Sequence, residues 1–429
     1  MKTGRNDGLP MTRRETFAGV VGLSLVGCMS APVIEQTSSP LDGEKLYEDL
    51  QRYASFGPKR TGSLADHAVS AWLEAEARLS GASVEAQPFR VRQFMLDEAA
   101  LDLADGPVLI YPFWFPRAGE ITAAITFDRA NAAGQILVID LPPGTGALRA
   151  MPRAVMDAQS AGAAALVLIT HTPSGEPFAH GRAEPCAVPT LIAGGRDLTR
   201  LRTAALSGES CRFVLRGNIL EQATGQNVLA RIGGSGPQVV ISTPTSAWTT
   251  SGGERGPGVA LWLALMRRAA ADPRGARWLF TAFSGHELDG AGSRAFLNSD
   301  RAPVPSDVAV WCHLGASIAT RRFEAGPDGL LQPTDRPSTD ASLLTNRPAW
   351  LPGLASAFAP TVFDPAVSGP DRPARGELQL YFGAGYPTFG FEGPHDFFHT
   401  PGDTAATSGP DLLEPIAIAL DRFLSERLR

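Results

Sequence analysis

The sequence predicts an α/β fold with a mixed, mostly parallel sheet, helices on both faces and an inserted small α/β domain. The first observation is the alternation of strand-like and helical segments from about residue 226 to residue 429. The second is a change of pattern over about residues 100–220, where short apolar runs surround one helical segment. The third is size, since 429 residues with 44% apolar content suffice for two domains.

The amino terminus is typical of a bacterial export signal. Arg13 and Arg14 precede a short apolar run that ends in Leu-Val-Gly before Cys28. A membrane span takes about 20 residues, so this run is too short for one. It resembles a lipobox, in which Cys28 would carry a lipid, and the paired arginines resemble a twin-arginine signal. A plain secretory signal with an incidental cysteine is the alternative.

These features predict an export signal over residues 1–28 and a flexible tether over residues 29–42. The folded part is then expected in the periplasm or, as a lipoprotein, at a membrane surface through its lipid anchor. The net charge of -6 and the lack of a basic block after the amino terminus argue against a nucleic-acid partner. The oligomeric state is left open.

The folded part is expected to contain three segments. Residues 43–124 begin with two helical patterns around a Phe-Gly-Pro turn and form the first part of the main domain. Residues 125–215 form the small inserted domain, and residues 216–429 complete the main domain. The strand-like runs of the last segment are 227–232, 239–243, 278–283 and 308–311, and its helical runs are 259–270, 291–297 and 412–428.

Three cysteines follow the predicted signal. An oxidising periplasm permits a disulfide between Cys186 and Cys211, but the sequence does not give the separation that a disulfide requires. Cys312 lies in an apolar run and is predicted to be a small core residue.

Several motifs resemble those of the co-catalytic zinc aminopeptidases, the family that also includes glutamate carboxypeptidase, glutaminyl cyclase and the transferrin receptor. The Phe-Gly-Pro-Lys-Arg-Thr-Gly-Ser segment at 56–63 is similar to the loop that opens their catalytic domains. Residues 158–165 and 188–192 are similar to parts of the protease-associated domain that many members insert. The resemblance extends from about residue 43 to the end and implies the same α/β fold.

The resemblance also implies a metal site, which this sequence keeps only in part. The family binds two zinc ions that share a carboxylate, and a free Glu acts as the base. Pro244 stands where the first His ligand is expected, and Glu254 replaces the bridging Asp. Because proline cannot bind a metal ion, one of the two zinc positions is doubtful.

The remaining motifs are mixed. The paired Glu-Glu of the family reads His286-Glu287 here, so the ligand is kept and the base is exchanged. The next ligand, an Asp in the family, falls on or beside His313, and the last His ligand is His399. The resemblance thus implies that Glu254, Glu287 and His399 hold at most one zinc ion, with His313 as a further candidate.

Two classes of function follow. In the first, the protein is an exported hydrolase in which zinc polarises a peptide or small amide substrate and His286 relays the proton, with weak activity. In the second, it is a non-catalytic relative whose cleft binds a ligand or partner. A mononuclear acyl transfer like that of glutaminyl cyclase is a third possibility, although its acidic base is also absent here.

Each singled-out residue has a structural alternative. Glu254 can be a carboxylate at the start of a helix, paired with Arg255. His286 and Glu287 can be a polar pair that holds a loop. His313 follows a buried strand and can be a hydrogen-bonded core histidine.

His399 has acidic and imidazole neighbours. His395, Asp396 and Asp403 are predicted to orient its ring, since a ligating imidazole usually needs a hydrogen-bond acceptor behind it. The alternative is a loop held by hydrogen bonds. Aromatic residues near these motifs either line a pocket or pack in the core; they are Trp248, Tyr381, Phe382 and Tyr386.

Overall fold

The computed structural model describes residues 39–180 and 186–429. The predicted export signal, including Arg13, Arg14 and Cys28, lies outside the described residues, as does most of the predicted tether. Within the described ranges, we find no helix that combines the length and the apolar character that a membrane span requires.

The elements are numbered in chain order. The helices are α1 (Gly43–Ala54), α2 (Leu64–Leu79), α3 (Thr145–Ser160), α4 (Leu198–Ser207), α5 (Gly256–Ala271), α6 (Ala291–Leu297), α7 (Leu351–Phe358), α8 (Leu378–Gly383) and α9 (Pro410–Arg427). The strands are β1 (Ser83–Leu103), β2 (Gly106–Pro107), β3 (Ile110–Pro112), β4 (Gly119–Thr126), β5 (Ile136–Asp140), β6 (Ala165–Thr170), β7 (Thr190–Gly194), β8 (Ser210–Gly233), β9 (Gln238–Pro244), β10 (Arg277–Phe283), β11 (Val308–His313), β12 (Arg321–Ala325), β13 (Leu331–Pro337), β14 (Ser342–Thr345), β15 (Ala366–Val367) and β16 (Thr388–Glu392).

Most of the described strands form one 14-stranded sheet in the order β15-β14-β16-β11-β9-β10-β8-β4-β5-β6-β7-β3, with β1 and β2 attached beside β8. Strands β16, β11, β9 and β10 are mutually parallel, as are β4, β5, β6 and β7. Strand β8 joins the two parallel sets by antiparallel pairing with β10 and β4. The predicted mixed α/β fold is therefore confirmed.

The joining element is a long two-stranded ribbon, of which the sequence predicts only the run 227–232 near the end of β8. Strand β1 has 21 residues and β8 has 24, and they pair from Ser83 with Arg231 to Asp102 with Arg212. Both strands alternate irregularly between buried and exposed positions, and β1 has register shifts at two places. A ribbon that is partly exposed on both faces lacks the continuous apolar run or clean alternation by which strands are recognised.

The apolar side chains form two large clusters. One packs α1, α2, α5, α7 and α9 against β9, β10 and β11. The other surrounds β5, β6 and β7 and also includes residues outside 125–215, such as Phe94 and Trp248, and the strands of that segment continue the same sheet. Among the described residues, Cys186 and Cys211 are free, so the disulfide considered for them does not form. Cys312 is a buried core residue, as predicted.

The topology brings separate segments to one edge. Strands β9, β10, β11 and β16 are parallel, so their carboxyl ends lie together at Pro244, Phe283, His313 and Glu392. In sheets of this kind, ligands bind outside the carboxyl ends of the strands. The segments that follow these four ends carry most of the residues singled out from the sequence.

Candidate functional site

A cavity of about 890 Å³ opens at this edge of the sheet. One wall comes from the insert, with Thr170 and Phe178, and the opposite wall comes from the segment that precedes α8, with Arg372 and Arg375. Six of the seven histidines of the chain line it; they are His171, His180, His286, His313, His395 and His399. Glu254, Arg255 and Glu377 form part of its floor.

Glu254 lies just before α5 and is held from several sides. Its Oε1 lies 3.2 Å from His399 Nε2, and Ser251 Oγ donates to its Oε2 at 3.2 Å. Asp403 accepts hydrogen bonds from the backbone amides of Gly253 and Glu254 at 2.6 and 3.1 Å. Ser251 and His399 both have positive φ angles, of 48° and 59°. Non-glycine residues in this conformation are uncommon and cluster at functional sites.

Arg255 is the charge partner of Glu254. Its guanidinium Nη2 lies 2.8 Å from Glu254 Oε1 and 3.8 Å from Glu287 Oε1, and its side chain is 1% exposed. Burial opposes the charged form of Glu254, but Arg255 and His399 outweigh it and hold the pKa of this carboxyl well below its ordinary value. The alternative in which Glu254 pairs with Arg255 at the start of a helix therefore describes the observed contact.

Glu287 follows β10 and completes this group. Its Oε2 accepts a hydrogen bond of 2.5 Å from Ser246 Oγ, which itself accepts from the backbone amides of Gly285 and His286 at 3.0 and 3.1 Å. Ser246 lies two residues after Pro244, where the family has an Asp. We call Glu254, Arg255 and Glu287 the arginine centre.

Two of the predicted zinc ligands, Glu254 and Glu287, thus share a partner, but that partner is a guanidinium. Arg255 places its nitrogen between the two carboxylates that a zinc ion would share, and Pro244 offers no donor. Across residues 39–180 and 186–429, no group of three or more His, Cys, Asp or Glu side chains is placed to hold a metal ion. The donor set therefore does not fit zinc, which is suggested only by the fold.

A second group, which we call the histidine centre, consists of His286, His313 and Glu377. Glu377 Oε2 lies 3.5 Å from His286 Nδ1 and 3.9 Å from His313 Nε2. Its other oxygen accepts a hydrogen bond of 2.8 Å from Ser293 Oγ. Burial raises the pKa of Glu377, but His286 and His313 lower it overall, so the carboxylate is charged at neutral pH.

His313 is a buried histidine at the end of β11. Its Nδ1 lies 2.9 Å from Ser242 Oγ, which also accepts a hydrogen bond of 2.7 Å from Trp311 Nε1. Burial lowers the pKa of His313 to about 4, against the opposing effect of Glu377. His313 is therefore neutral at pH 7, as expected of a hydrogen-bonded core histidine.

The loop of His399 is held by the insert. The backbone amide of Ala179 donates to the carbonyl oxygen of His399 at 2.7 Å, and Glu176 accepts from the amide of Gly402 at 2.6 Å. The His399 ring stacks on Phe398 with centroids 4.0 Å apart. The insert thus fixes one of the residues predicted as metal ligands.

The three polar neighbours of His399 differ from their predicted role. Its Nε2 is bonded by Glu254 rather than by any of them. Asp403 instead fixes the backbone before α5 and lies 3.4 Å from His395 Nε2. Asp396 accepts from the backbone amide of Phe323 at 2.8 Å. Their position in sequence suggested proximity to His399, but the turn of this loop directs them elsewhere.

Solved structures of zinc aminopeptidases share this arrangement of strands and helices. BSAP, a zinc aminopeptidase from Bacillus subtilis, gives a TM-score of 0.65 at 16% identity, covering 90% of this chain and 95% of that chain. A peptidase M28 precursor from Shewanella amazonensis gives 0.66 at 15%, covering 90% and 96%. An aminopeptidase from Aneurinibacillus sp. strain AM-1 gives 0.56 at 17%, covering 90% and 94%.

The fold is that of the zinc aminopeptidases. At such low identity the likeness establishes the fold alone. No protein-family model matches the sequence, and no curated protein matches it. The chemistry of this aminopeptidase-like cavity must therefore be argued from its own residues.

Three of the four aromatic residues considered for a pocket, Trp248, Tyr381 and Tyr386, pack in the aminopeptidase-like core instead. Trp248 is 4% exposed and its ring centroid lies 3.7 Å from that of Trp114. Tyr381 is fully buried and stacks on Trp311 at 4.3 Å, and Tyr386 contacts the same indole at 4.6 Å.

Sequence reasoning missed two members of the site. Glu377 lies outside the motifs matched in the sequence, and the fold brings it close to His286 and His313. Ser246 occupies a ligand-supporting position but has no charge that would draw notice. The one available signal was Arg255, a cation next to Glu254 at the position where the resemblance implies a zinc ion.

Proposed function

We propose that this protein is a ligand-binding relative of the zinc aminopeptidases whose cavity works without a metal ion. The observation that carries this proposal is Arg255, fully buried at 2.8 Å from Glu254 and 3.8 Å from Glu287. A guanidinium between two buried carboxylates supplies the positive charge that zinc would supply. A metal ion could enter only by displacing it and leaving a buried cation unpaired.

The ligand that suits this cavity is a short peptide or a small amide with a free amino group. Six carboxyl groups line the cavity against three guanidinium groups, and Glu254, Glu377 and Arg255 lie at its floor. His313 is neutral at pH 7 because burial lowers its pKa to about 4. This excess of acidic groups favours an ammonium group near the floor. A volume of about 890 Å³ is within the range of small-molecule sites.

The insert supports a role in setting the size of the ligand. Phe178 and His180 line the cavity, and Ala179 between them binds the His399 loop through its backbone amide. Residues of the insert therefore contact both the ligand space and the floor. These contacts support a role of residues 125–215 in shaping access to the cavity.

A hydrolase with one zinc ion is the second candidate, because Glu254, Glu287 and His399 do converge. His399 Nε2 lies 3.2 Å from Glu254, and Glu287 reaches the same guanidinium. In that case the ion would rest on these three side chains and would polarise a substrate carbonyl. This candidate requires Arg255 to leave its present position.

Calorimetric titration with leucinamide and with the dipeptide Leu-Gly tests the proposal. The protein is first treated with chelator and its metal content is measured. We expect binding that chelator does not weaken and no zinc that co-purifies in stoichiometric amount. Binding that requires about one zinc ion per chain, lost in Glu287→Ala, would support the hydrolase instead. Absence of binding of both probes with or without zinc would contradict the proposed function.

We further propose that the protein is exported and anchored at a membrane surface through Cys28. The support is the sequence pattern of residues 13–28 alone. Expression in a bacterial host should place the full chain in the membrane fraction, and Cys28→Ala should release it. A wild-type chain found in the soluble fraction would contradict the anchor.

A further inference from the structure

His286 lines the cavity and has a carboxylate beside it. Its side chain is 23% exposed and its Nδ1 lies 3.5 Å from Glu377 Oε2. The Nδ1 atom itself is buried. The exposed part of the imidazole is therefore the side of the ring that carries Nε2. In a histidine base the carboxylate partner holds one nitrogen and leaves the other for the reacting proton.

Glu377 is fixed in a way that suits this role. Its side chain is 1% exposed, and Ser293 Oγ, which also contacts Tyr381 Oη at 2.9 Å, donates to its Oε1 at 2.8 Å. The preceding Gly376 has a φ angle of 55°, and a Cβ atom there would lie 3.4 Å from His286 Cε1. The backbone therefore packs against the imidazole, and a carboxylate so constrained can hold the ring in one orientation.

Arg255 supplies a positive group on the same floor. It lines the cavity, and its Nε and Nη2 atoms donate no well-aligned hydrogen bond among the described residues, although Nη2 forms the ion pair with Glu254. Fixed cationic donors in a cavity from which water is excluded stabilise a developing oxyanion far better than solvent does. A base and an oxyanion partner therefore face one ligand space.

We propose that this cavity hydrolyses carboxylic esters of amine-bearing acyl groups without a metal ion, with His286 as the general base, Arg255 as the oxyanion partner and Glu377 as a positioning residue. The inference rests on the proposed function, since the ester must occupy the same cavity. His286 Nε2 takes a proton from water while the water oxygen bonds to the acyl carbon. The carbonyl electron pair moves to oxygen, which Arg255 stabilises. The C–O bond to the alcohol then breaks, and His286 returns the proton to the leaving alkoxide.

Esters are favoured over amides for a chemical reason. A guanidinium carries one delocalised charge and is a weaker electrophile than a divalent ion. An amide also needs strong protonation of its leaving nitrogen, whereas an alkoxide or phenoxide leaves more readily. The structure therefore assigns to this cavity an activity that differs from peptide hydrolysis in its leaving group.

The test compares leucine 4-nitrophenyl ester with leucine 4-nitroanilide, both in chelator. We expect hydrolysis of the ester above the uncatalysed rate and no cleavage of the anilide. His286→Ala should lower kcat for the ester roughly a hundredfold, and added imidazole should restore part of it. The matched control is His67→Ala, at the seventh histidine, which lies on α2 outside the cavity and should leave the rate unchanged.

Glu377→Gln distinguishes positioning from a structural role. It should lower kcat roughly tenfold with little change in KM, and Glu377→Asp should recover part of the loss. Thermal melting shows whether each variant is folded. If His286→Ala does not fold, His286→Asn provides a second variant without the imidazole base.

Three results would overturn the inference. They are full activity in both His286 variants, loss of activity in chelator, and loss in His171→Ala with none in His286→Ala, since His171 forms its own pair with Asp140 at 2.6 Å. If leucinamide binds but the ester is not hydrolysed, this inference fails and the proposed binding function stands. If neither probe interacts, both fail.

Discussion

The two halves of the cavity floor have departed from the aminopeptidase pattern in opposite ways. In the arginine centre the expected ligand types are retained at Glu254 and Glu287, and a neighbouring side chain fills the space between them. In the histidine centre the residue types have changed, and the imidazoles of His286 and His313 lie around Glu377, which belongs to no family motif.

Suitable ligand types alone do not define a metal site. Glu254, Glu287 and His399 are suitable zinc ligands that lie near one another, yet the buried cation among them is part of the chain. By contrast, the histidine centre has imidazoles where the resemblance implies acidic residues, and Glu377 Oε2 lies 3.5 and 3.9 Å from their nitrogens. In the arginine centre, the charge of Arg255 takes the place of a zinc ion. In the histidine centre, His286 takes the place of the Glu base that the resemblance implies.

Removal of Arg255 should cause the largest loss of stability among the changes considered. Arg255→Ala leaves two buried carboxylates without a cation, and we expect a loss of about 3–5 kcal/mol in the free energy of unfolding. Because Glu254, Glu287 and His399 then surround an open space, zinc should raise the melting temperature of the variant and leave that of the wild type unchanged. Urea unfolding and thermal melting, each with chelator or zinc, measure both effects.

Arg267→Ala is the matched control for that experiment. Arg267 also pairs with two carboxylates, those of Asp49 and Glu76, but its side chain is 19% exposed. The loss of stability should be smaller there, and zinc should not reverse it. Equal losses in the two variants, or a zinc response in the wild type, would break the distinction between the two centres.

The second largest effect is expected from acid, which should lower the stability of the protein through His313. The pKa of His313 is about 4 in the folded protein against an ordinary value of 6.5, so as the pH falls the unfolded chain binds the proton first. The free energy of unfolding should therefore decrease between about pH 6.5 and pH 4, by up to about 3 kcal/mol. The groups that face His313 are Glu377, which opposes this shift, and His286 and Arg255, which add to it.

Urea unfolding at several pH values checks this expectation. His313→Gln removes the titrating group while it keeps a polar side chain beside Ser242, and its unfolding free energy should change less over the same interval. An identical pH dependence in wild type and variant would assign the acid sensitivity to other residues.

The smallest loss of stability is expected from removal of Ser246, which contacts both Glu287 and the backbone amide of His286. Ser246 Oγ donates to Glu287 and accepts from the amides of Gly285 and His286, so Ser246→Ala leaves three polar groups without their partner. We expect a loss of about 1–3 kcal/mol. Ser293→Ala tests the corresponding contact to Glu377 in the histidine centre. If neither substitution changes the melting temperature, these hydrogen bonds do not fix the two glutamates.

Much of the fold was predictable because it depends on local patterns. The apolar runs at 239–243, 278–283 and 308–311 lie within β9, β10 and β11, and the run at 259–270 lies within α5. Of the ribbon of β1 and β8, only the run 227–232 was predictable, since the rest depends on pairing between distant segments rather than on a buried face.

The site was predictable only where the chain keeps a motif. The resemblance implies that Glu254, Glu287 and His399 share one site; in the structure Glu254 pairs with His399, and Glu254 and Glu287 both contact Arg255. It could not show that Arg255 turns inward, because side-chain direction depends on the packing of the whole floor. Nor could it find Glu377, since its partners are 64 and 91 residues away in sequence (377 − 313 and 377 − 286).

A crystal structure of the protein with added zinc, measured at the zinc absorption edge, tests directly whether Arg255 takes the place of a zinc ion. We predict that the guanidinium of Arg255 contacts Glu254 and Glu287. No anomalous peak should lie within bonding distance of these two side chains or of His399. A peak within bonding distance of these three side chains, with Arg255 displaced, would contradict the account.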